Sequence, residues 1–508
     1  MNIKYCYMIM LFLGMYYRVP AQGQQSTFFK LYDFNGGSNY FDDVKEVENN
    51  FYATGLSMLP NTDKRRAYLV GVDSLGDKFL EKDFLIDSPL VSETDIASIY
   101  VTPNKEIYLC GSNFYPDSNT IFGYARYPLI VKLDSLGNIL WYKVFMENLY
   151  PNMRLAALFP VTNNKFMAVG SQQMQDGTDR VTMLFYILDN KGNVLVKNFP
   201  SPLSGAGMFS RGRSQLKDKS VLIYGTTYYR NIDKYARSAL RVDTNLNIIW
   251  AKEYGPILPI NSFDCGEILE EDSTAIMPSY FTKSIFFDEY EGYLERINLN
   301  TGNSIRNKTY KLSESTIFSG VSLAGDGLMV SGMAYDFDFD GLDAAFWKLD
   351  SNWNVLWQNE YFNPYFPGLP TPSENIFAFI STSDGGFLSA GFTLDTIDGR
   401  ITQDALLIKV DSNGCLVSGC NIVGINTDPA WSSKIHMYPN PSNGNLHLEN
   451  CIPNSLLKVY NLQGQVQFSS LLVSNMETIN LESYPSGLYI IQIQNEQGIY
   501  FQEKLLLE

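Results

Sequence analysis

The sequence has almost no histidine: its 508 residues include two, His436 and His447, and both lie close to the C-terminus. The body of the chain therefore lacks the imidazole that Ser-His and Cys-His nucleophilic catalysis and histidine-bearing metal centres require. Hydrolysis by two carboxylates needs no histidine and stays possible. The 54 Asp and Glu residues show no spacing that identifies such a pair, so a chance surface distribution is the stronger interpretation.

Positive charge is also scarce, with 38 Lys and Arg against 54 Asp and Glu and a formal net charge of −16. Nucleic-acid binding needs Lys and Arg clustered against the phosphates, so this balance argues against a nucleic-acid partner. Cations or basic partners match the charge better, although acidity also keeps exported proteins soluble. With 45% hydrophobic and 18% charged residues, the chain can bury a large core and lacks the composition of a disordered protein.

Long apolar segments are absent after the N-terminus, and none reaches the length needed to span a bilayer. Residues 1–21 contain Lys4, an apolar run over residues 5–17 and then Val19-Pro20-Ala21, which supplies the small residues that precede a cleavage site. This pattern predicts a signal peptide cut after Ala21, and the run is too short for a transmembrane helix. We therefore expect an exported protein without a transmembrane segment.

Cysteine is rare, with six in the chain and five after removal of the signal peptide. An oxidising compartment permits a disulfide, and Cys415 with Cys420 is the predicted pair because it closes a short loop. Two unpaired thiols are the alternative. Cys110 lies in an apolar strand pattern and is expected to be a small buried hydrophobic residue.

One pattern, by contrast, recurs along the whole chain. In residues 129–145, LIVKLDSLGNILWYKVF, an apolar run ends in Lys-Leu-Asp, a turn follows and a second apolar run begins. Gly137 and Asn138 supply the positive φ of a tight hairpin, and Asp134 starts the turn by accepting hydrogen bonds from the following amides. Seven copies, 52 to 61 residues apart, predict a propeller or solenoid. Their turns begin at Asp73, Asp134, Asp189, Asp243, Asn298, Asp350 and Asp411.

Each hairpin is preceded by a strand that contains a single glycine in six of the seven copies, which is consistent with the crowded inner region of a blade. A shorter strand lies before the glycine strand, and the hairpin has one strand on each side of its turn. Each repeat therefore has four strands. The sequence therefore predicts an all-β, seven-bladed β-propeller over residues 22–420. The seventh copy lacks a fourth strand, so we expect residues 27–34 to complete the last blade. The glycines are Gly55, Gly111, Gly170, Gly225, Gly332 and Gly391, and the fifth copy has Pro278.

An apolar residue stands seven positions after the turn residue in six copies. A tryptophan there suggests stacking on a sugar, but the position is apolar in all six copies, which favours packing between blades. We call it the slot, and it is occupied by Leu80, Trp141, Val196, Trp250, Ile305 and Trp357.

The repeat, written as apolar, Lys-Leu-Asp, turn, Asn-Val-Leu-Trp and Lys-x-Tyr, resembles the propeller repeats common in exported proteins of the Bacteroidetes. The resemblance covers roughly residues 27–420. It implies a scaffold and no particular activity.

The character of the sequence changes after residue 420. Residues 421–433 are a linker, and the alternating apolar positions of residues 434–508 predict a small immunoglobulin-like β-sandwich. With Tyr-Pro-Asn-Pro at residues 438–441, Val-Tyr-Asn at 459–461 and Pro-Ser-Gly-Leu-Tyr at 485–489, this segment resembles the C-terminal sorting domain (type A) of the type IX secretion system, which implies handling by that machinery and a secreted or outer-membrane-surface location. The chain ends in Leu-Leu-Leu-Glu, whereas many members end in several basic residues. The matching residues include Tyr438, Pro439, Asn440, Pro441, Gly444, Gly464, Gly487, Tyr489 and Lys504.

Alternating carboxylates at Asp336, Asp338 and Asp340, closed by Gly341, resemble the calcium loops of other propellers and predict a calcium site. The ninth position of the loop is Ala344, where such loops often have Asp. The alternative is a solvated loop whose charges repel each other weakly. No other cofactor is predicted.

These observations favour a secreted or cell-surface propeller that acts as a binding or scaffolding module for an extracellular glycan or protein, and not as an enzyme. The alternative is an extracellular glycan hydrolase with a carboxylate-based site in the propeller channel. Two or three carboxylates converging with an Arg or Tyr would favour the hydrolase.

Overall fold

The computed structural model contains only β-strands and connections among the residues that it describes. These residues are 25–34, 36–60, 64–87, 90–118, 120, 123–146, 152–162, 164–173, 181–200, 203, 208–229, 232, 234–258, 260–263, 268–282, 289–336, 341–361, 373–397, 400–416, 435–453, 455–461, 466–495 and 498–507.

The strands before residue 411 form antiparallel sheets, four strands wide, in the order of the repeats. Strand β1 is Phe28–Tyr32. Sheet 1 contains β2 (Asn39–Val47), β3 (Asn50–Met58), β4 (Arg65–Val72) and β5 (Lys78–Phe84). Sheet 2 contains β6 (Glu93–Val101), β7 (Ile107–Pro116), β8 (Tyr124–Leu133) and β9 (Ile139–Val144). Sheet 3 contains β10 (Met153–Thr162), β11 (Lys165–Gln173), β12 (Val181–Asp189) and β13 (Val194–Asn198). Sheet 4 contains β14 (Met208–Gln215), β15 (Val221–Tyr229), β16 (Lys234–Val242) and β17 (Ile248–Leu258).

In sheet 5 two short strands, β18 and β19, share the place of the first strand, since both pair with β20. Sheet 5 contains β18 (Ile260–Phe263), β19 (Leu269–Glu271), β20 (Thr274–Thr282), β21 (Glu291–Asn298) and β22 (Ser304–Tyr310). Sheet 6 contains β23 (Ser315–Ala324), β24 (Gly327–Asp336), β25 (Gly341–Leu349) and β26 (Val355–Tyr361). Sheet 7 contains β27 (Glu374–Ser381), β28 (Phe387–Ile397), β29 (Arg400–Val410) and, at its edge, β1.

The hydrophobic core of this region is divided among the gaps between consecutive sheets. Each buried cluster combines side chains from two neighbouring sheets; Phe318 and Trp347 of sheet 6, for example, pack against Leu294 of sheet 5. One cluster joins sheet 7 to sheet 1 through Leu407 and Phe41. The first strands β2 and β27 are also in contact. Because apolar burial links the last sheet back to the first, the sheets pack in a cycle, the arrangement typical of β-propellers.

Strand β1 forms the outer edge of sheet 7 by pairing with β29, with Phe28 opposite Lys409 and Tyr32 opposite Ala405. Phe28 and Tyr32 are buried in the cluster between sheets 7 and 1. The hydroxyl of Tyr32 donates to the carbonyl of Gly76 in sheet 1 at 2.9 Å. The N-terminal strand therefore connects the last sheet with the first.

The turn residues of the repeat behave as the sequence predicts except at Asn138: Gly137 has a φ of 77°, whereas Asn138 is not among the residues with positive φ, so one left-handed residue is enough for this turn. The Oδ1 atom of Asp134 accepts from the backbone amides of Leu136 and Asn138, both within 2.9 Å, and Asp189 and Asp243 make the equivalent bonds. These carboxylates stabilise the hairpin by accepting from its backbone amides, so they have a structural role.

Packing between blades is confirmed for four slot residues and wrong for two. Leu80, Trp141, Trp250 and Trp357 each lie against the glycine in the hairpin of the following sheet, at Gly137, Gly192, Gly302 and Gly414. Val196 and Ile305 are instead exposed.

The hairpins that follow these two slots explain the difference. In sheets 4 and 6 the positive-φ position of the turn is occupied by Leu246 and Trp353, whose side chains are buried. A large side chain in the turn takes the space that a large slot residue occupies elsewhere, so Val196 and Ile305 are left at the surface.

Each repeat glycine lies opposite a bulge in the first strand of its sheet. The pairing of β2 with β3 skips Asp42 directly after the Phe41–Gly55 pair, and β6, β10, β14, β23 and β27 have a bulge at the equivalent place. A Cβ on Gly55 would stand 2.1 Å from the carbonyl oxygen of Tyr40, and one on Gly111 2.0 Å from that of Asp95. The glycine therefore makes room for the bulged backbone, and the crowding comes from that strand.

The C-terminal strands form two sheets around a separate core that includes Leu446, Leu457 and Ile491. The three-stranded sheet has the order β30-β31-β34, and the four-stranded sheet has the order β33-β32-β35-β36. The strands are β30 (His436–Tyr438), β31 (Asn445–Glu449), β32 (Ser455–Tyr460), β33 (Val466–Leu472), β34 (Met476–Asn480), β35 (Gly487–Asn495) and β36 (Gly498–Leu507).

Candidate functional site

A cavity of ≈ 820 Å³ lies among the first strands of the sheets. Its lining comes from β2, β6, β10, β14 and β27, with additions from the ends of the neighbouring strands. The volume is within the range of ligand-binding pockets. The charged lining residues are Asp42, Asp43, Lys45, Arg65, Asp95, Arg126, Arg154 and Arg213.

The bulges place the central groups of this cavity. Asp42 is the residue that the β2–β3 pairing skips, so its backbone leaves the regular ladder beside the cavity. In β6 the skipped residue is Ala97, whose carbonyl oxygen accepts from the Nη2 atom of Arg213 at 2.7 Å. A bulge frees backbone groups and redirects side chains. Here one bulge frees the carbonyl of Ala97 for Arg213, and another places Asp42 in the lining of the cavity.

Asp95 is held by an ion pair. The Nη2 atom of Arg126 lies 2.5 Å from Oδ2 of Asp95, its Nε donates to the hydroxyl of Ser112 at 2.7 Å, and its guanidinium stacks on Phe114 at 4.7 Å. Burial lowers the pKa of Arg126 to about 10, while Asp95 opposes the shift. The arginine stays charged at neutral pH, so the pair fixes a carboxylate at the wall of the cavity.

Asp42 has a different environment. It is half-buried, and it makes no hydrogen bond or ion pair with the described residues. Burial, and then the charge of Asp95, raises the pKa of Asp42 to about 8, although Arg154 and Arg213 act in the opposite direction. Asp42 is therefore largely protonated at neutral pH and can donate a hydrogen bond.

Arg154 projects from β10 into the same cavity and is half-buried. Within the described ranges, its guanidinium forms neither a hydrogen bond nor an ion pair, in contrast to Arg126. A partly desolvated guanidinium without a protein partner is a ready donor for an anionic group.

The third aspartate, Asp43, has a structural role. Its carboxylate accepts from Lys45 and the amide of Val44, both at 2.9 Å, and from the hydroxyl of Ser98 and the amide of Ile99 in sheet 2. These bonds tie sheet 1 to sheet 2 and leave the carboxylate little capacity for a ligand.

One side of the cavity is aromatic. The ring of Tyr40 lies edge-on to Phe377 at 5.9 Å and tilted to Phe392 at 6.3 Å, and the two phenylalanines are 5.6 Å apart. Burial, with the negative charges of Asp42 and Asp95, raises the pKa of Tyr40, so its hydroxyl stays protonated. Aromatic faces beside charged donors are common in sites for polar ring compounds.

The predicted calcium site falls largely outside the described residues. Asp336 ends β24 opposite Gly341, and Asp338 and Asp340 lie outside the description. In the part of the chain that the structure describes, no group of three His, Cys, Asp or Glu is placed to hold a metal ion. That finding does not reach Asp338 and Asp340, so the calcium site stays a prediction.

Cys415 is buried and disulfide-bonded, while Cys110 and Cys451 are free and buried. The predicted partner Cys420 is outside the described residues, so the pairing stays a prediction. Burial raises the pKa of Cys110 to about 12, which makes its thiol unreactive.

The sorting-motif residues join the two ends of the C-terminal segment. Asn440 donates to the carbonyl of Lys504 at 2.6 Å and accepts from the amide of Leu506 at 3.0 Å. A Cβ on Gly444 would stand 2.6 Å from the Cα of Glu482. Tyr438, Pro439 and Pro441 flank the asparagine, Tyr489 is buried in the core, Gly487 begins β35, and Gly464 lies outside the described residues.

Sequence reasoning did not find Asp42, Asp95 or Arg154. A signal was present, however, because Asp95 and Arg154 occupy the same position relative to the bulge and the repeat glycine. The equivalent positions in sheets 6 and 7 are Ile317 and Asn375. Charged residues at this position in consecutive copies mark the cavity, provided that the copies are aligned on the glycine.

Residues 436–508 match the family described as the secretion system C-terminal sorting domain. The segment is thus a sorting domain of the type IX secretion system, which implies secretion and a cell-surface or extracellular location. No curated protein is similar enough to match the chain. The part of the chain that the structure describes contains no helix long and apolar enough to cross a membrane.

Solved structures with a similar fold are distant. The polysaccharide lyase Uly1 has a TM-score of 0.46 at 10% identity, with 78% of this chain and 94% of that chain covered. The β-propeller domain of the trilobed protease from Pyrococcus furiosus has a TM-score of 0.36 at 10% identity, with 73% and 96% covered. The acylaminoacyl peptidase from Pyrococcus horikoshii has a TM-score of 0.36 at 10% identity, with 81% of this chain and 58% of that chain covered. The chain therefore spans little more than half of that peptidase.

Proposed function

We propose that this protein is an exported seven-bladed propeller that binds an extracellular ligand in the cavity among its first strands. The observation that carries the proposal is the lining of that cavity. Arg154 and Asp42 line it without protein partners among the described residues, and the fixed Asp95–Arg126 pair belongs to the same lining. Leaving two partly desolvated polar groups unpaired costs stability, so their retention favours a binding role.

A second candidate function is hydrolysis of a glycan, and the carboxylates favour it. Asp42, with a pKa near 8, is suited to act as a general acid, and Asp95, ion-paired with Arg126, is suited to act as a nucleophile or base. Glycosidases combine one protonated and one ionised carboxylate in this way. Tyr40 and several arginines line the same cavity, which are the residue types expected beside such carboxylates in a hydrolase.

Binding should be tested on a glycan array with the mature full-length protein. Replacing Ala97 by Trp would fill the cavity at the bulge of β6, and we expect this variant to lose the signal. Leu195→Trp, which adds the same ring at an exposed position of the outer strand β13 that is not a slot, should bind as the unmodified protein does. Array signals that survive Ala97→Trp would contradict the cavity as the site.

The same glycans separate the two candidate functions. The hydrolase would be established if the protein releases reducing ends from these glycans and if both Asp42→Asn and Asp95→Asn stop the release while they retain binding. Saturable binding without any product would establish the binding module.

The export of the chain gives an independent prediction. Deleting residues 434–508 should leave a folded propeller in the periplasm, because the buried clusters of the sheets, as far as the described residues show, contain none from the sorting domain. Cell fractionation with antibody detection measures the location, and a melting curve verifies the fold. An unrelated periplasmic protein fused to residues 434–508 should in turn reach the surface. Detection of the truncated chain at the cell surface would refute the sorting role.

A further inference from the structure

The cavity is positively charged although the protein is strongly acidic. Four arginines and one lysine face three aspartates in its lining, whereas the whole chain carries a formal charge of −16. Protonation of Asp42 at neutral pH increases the excess of positive charge. A cavity of this sign in an acidic chain selects an anionic group from solution, and its low-dielectric walls strengthen the selection.

The arginines are arranged to receive an anion from more than one side. Arg154 comes from β10 and Arg213 from β14, so they approach from consecutive sheets, and the bond to the carbonyl of Ala97 fixes the guanidinium of Arg213. Both line the same cavity as Asp42, and their charges act to lower its pKa. Guanidinium groups match the planar geometry of a carboxylate better than any other cation in proteins.

The remaining lining is suited to a hydroxylated ring. Tyr40, Phe377 and Phe392 offer aromatic faces and edges, and Gln403 offers an amide group. Sugar rings use both kinds of contact, stacking their C–H faces on aromatic rings and pairing their hydroxyls with amides.

We infer that the cavity binds an acidic oligosaccharide and that Arg154 and Arg213 hold the carboxylate of a hexuronic acid unit. The inference rests on the proposed function and names the chemical class of its ligand. The carboxyl group of Asp42 donates a hydrogen bond to the bound sugar or its carboxylate.

The binding should depend on pH in one direction. Asp42 is faced by Asp43 on its own strand, Asp95 on β6, Arg154 on β10 and Arg213 on β14. Below about pH 8 its carboxyl is neutral, and above that pH it becomes an anion that repels the ligand. Affinity is therefore constant between about pH 5 and 7, where the ligand's carboxyl is ionised and that of Asp42 is neutral, and it falls as the pH rises through 8.

Calorimetric titration of the mature full-length protein tests the inference with three probes: a hexuronate tetrasaccharide, the same tetrasaccharide with its carboxyls reduced to alcohols, and a sulfated neutral tetrasaccharide. The hexuronate should bind at least about tenfold more tightly than the reduced form, as one charge-assisted contact implies. Equal affinity for the hexuronate and the reduced form would overturn the inference but leave the proposed function standing. Tighter binding of the sulfated probe would also overturn it, and no binding of any probe or array glycan would overturn both.

Variants assign the residues. Arg154→Gln should weaken hexuronate binding about 10- to 100-fold, and Arg154→Lys should restore part of it. Arg306→Gln, which removes one charge on β22 far from the cavity lining, should leave affinity unchanged. Asp42→Asn should keep the binding and abolish its fall above pH 8. Unchanged affinity in a folded Arg154→Gln protein, or a pH dependence that persists in Asp42→Asn, would overturn the assignment.

Discussion

A mature chain that lacks residues 22–34 should unfold at a markedly lower denaturant concentration than the complete chain. The deletion removes β1, and with it the buried rings of Phe28 and Tyr32 and the outer edge of sheet 7. It also uncovers the turn of sheet 1, where Gly76 lies against Phe28 and Lys30. Burial of two or three large side chains is worth roughly 5 kcal/mol, and the exposed edge of β29 adds a tendency to aggregate.

Chemical denaturation followed by circular dichroism measures the loss, and two single variants separate its causes. Tyr32→Phe removes only the hydrogen bond to the carbonyl of Gly76 and should cost about 1 kcal/mol. Lys30→Gln removes an exposed ion pair with Asp77 and should cost less than about 1 kcal/mol. A synthetic peptide of residues 25–34 should restore the stability of the deleted protein. An unchanged denaturation midpoint after the deletion would mean that β1 contributes nothing to closure.

Replacing Gly55 by Ala should reduce both the stability and the ligand affinity of the protein. The new Cβ would lie 2.1 Å from the carbonyl oxygen of Tyr40 and 2.8 Å from the Cα of Phe41, so the bulge of β2 must move. We expect a loss of about 2–4 kcal/mol, as for other overpacked sites. Because Asp42 lies in that bulge, ligand binding in the cavity should weaken by more than about tenfold.

Gly332→Ala is the matched control. Its Cβ would stand 1.9 Å from the carbonyl oxygen of Ile317 in the equivalent bulge of sheet 6, so the loss of stability should be similar. The bulged residue there, Ser319, does not line the cavity, and ligand affinity in the folded variant should be unchanged. Equal effects of the two substitutions on affinity would contradict the link between the bulge and the site.

The regular parts of the fold could be predicted from the sequence because they depend on local chemistry. A turn that begins with Asp134 and contains Gly137 forms its hydrogen bonds within five residues, so its pattern is visible in the chain. The repeat of that pattern indicated the succession of four-stranded sheets. The sorting segment was recognisable for a similar reason, since Asn440 and Gly444 are required by backbone contacts that few residues can replace.

The site could not be predicted in the same way because it is assembled across sheets. Asp42, Asp95 and Arg154 belong to three different repeats, and each is one charged residue among many in the sequence. What distinguishes them is their position at a bulge, and the bulge shows in the sequence only through a glycine on the neighbouring strand. The exposure of Val196 escaped prediction similarly, because its cause is Leu246 in the next repeat.

The pairing of slot and turn also determines which sheets can be neighbours. A large slot residue such as Trp141 needs a glycine turn, and a turn filled by Leu246 needs a small slot residue such as Val196. Exchanging the partners would press Trp141 against Leu246 in one gap and leave a hole beside Gly192 in the other, and both errors are costly. Seven similar units could otherwise assemble in the wrong succession, a common failure of repeat proteins. The two types of gap thus favour one order of the sheets. They disfavour packing of non-consecutive sheets and exchange of sheets between chains.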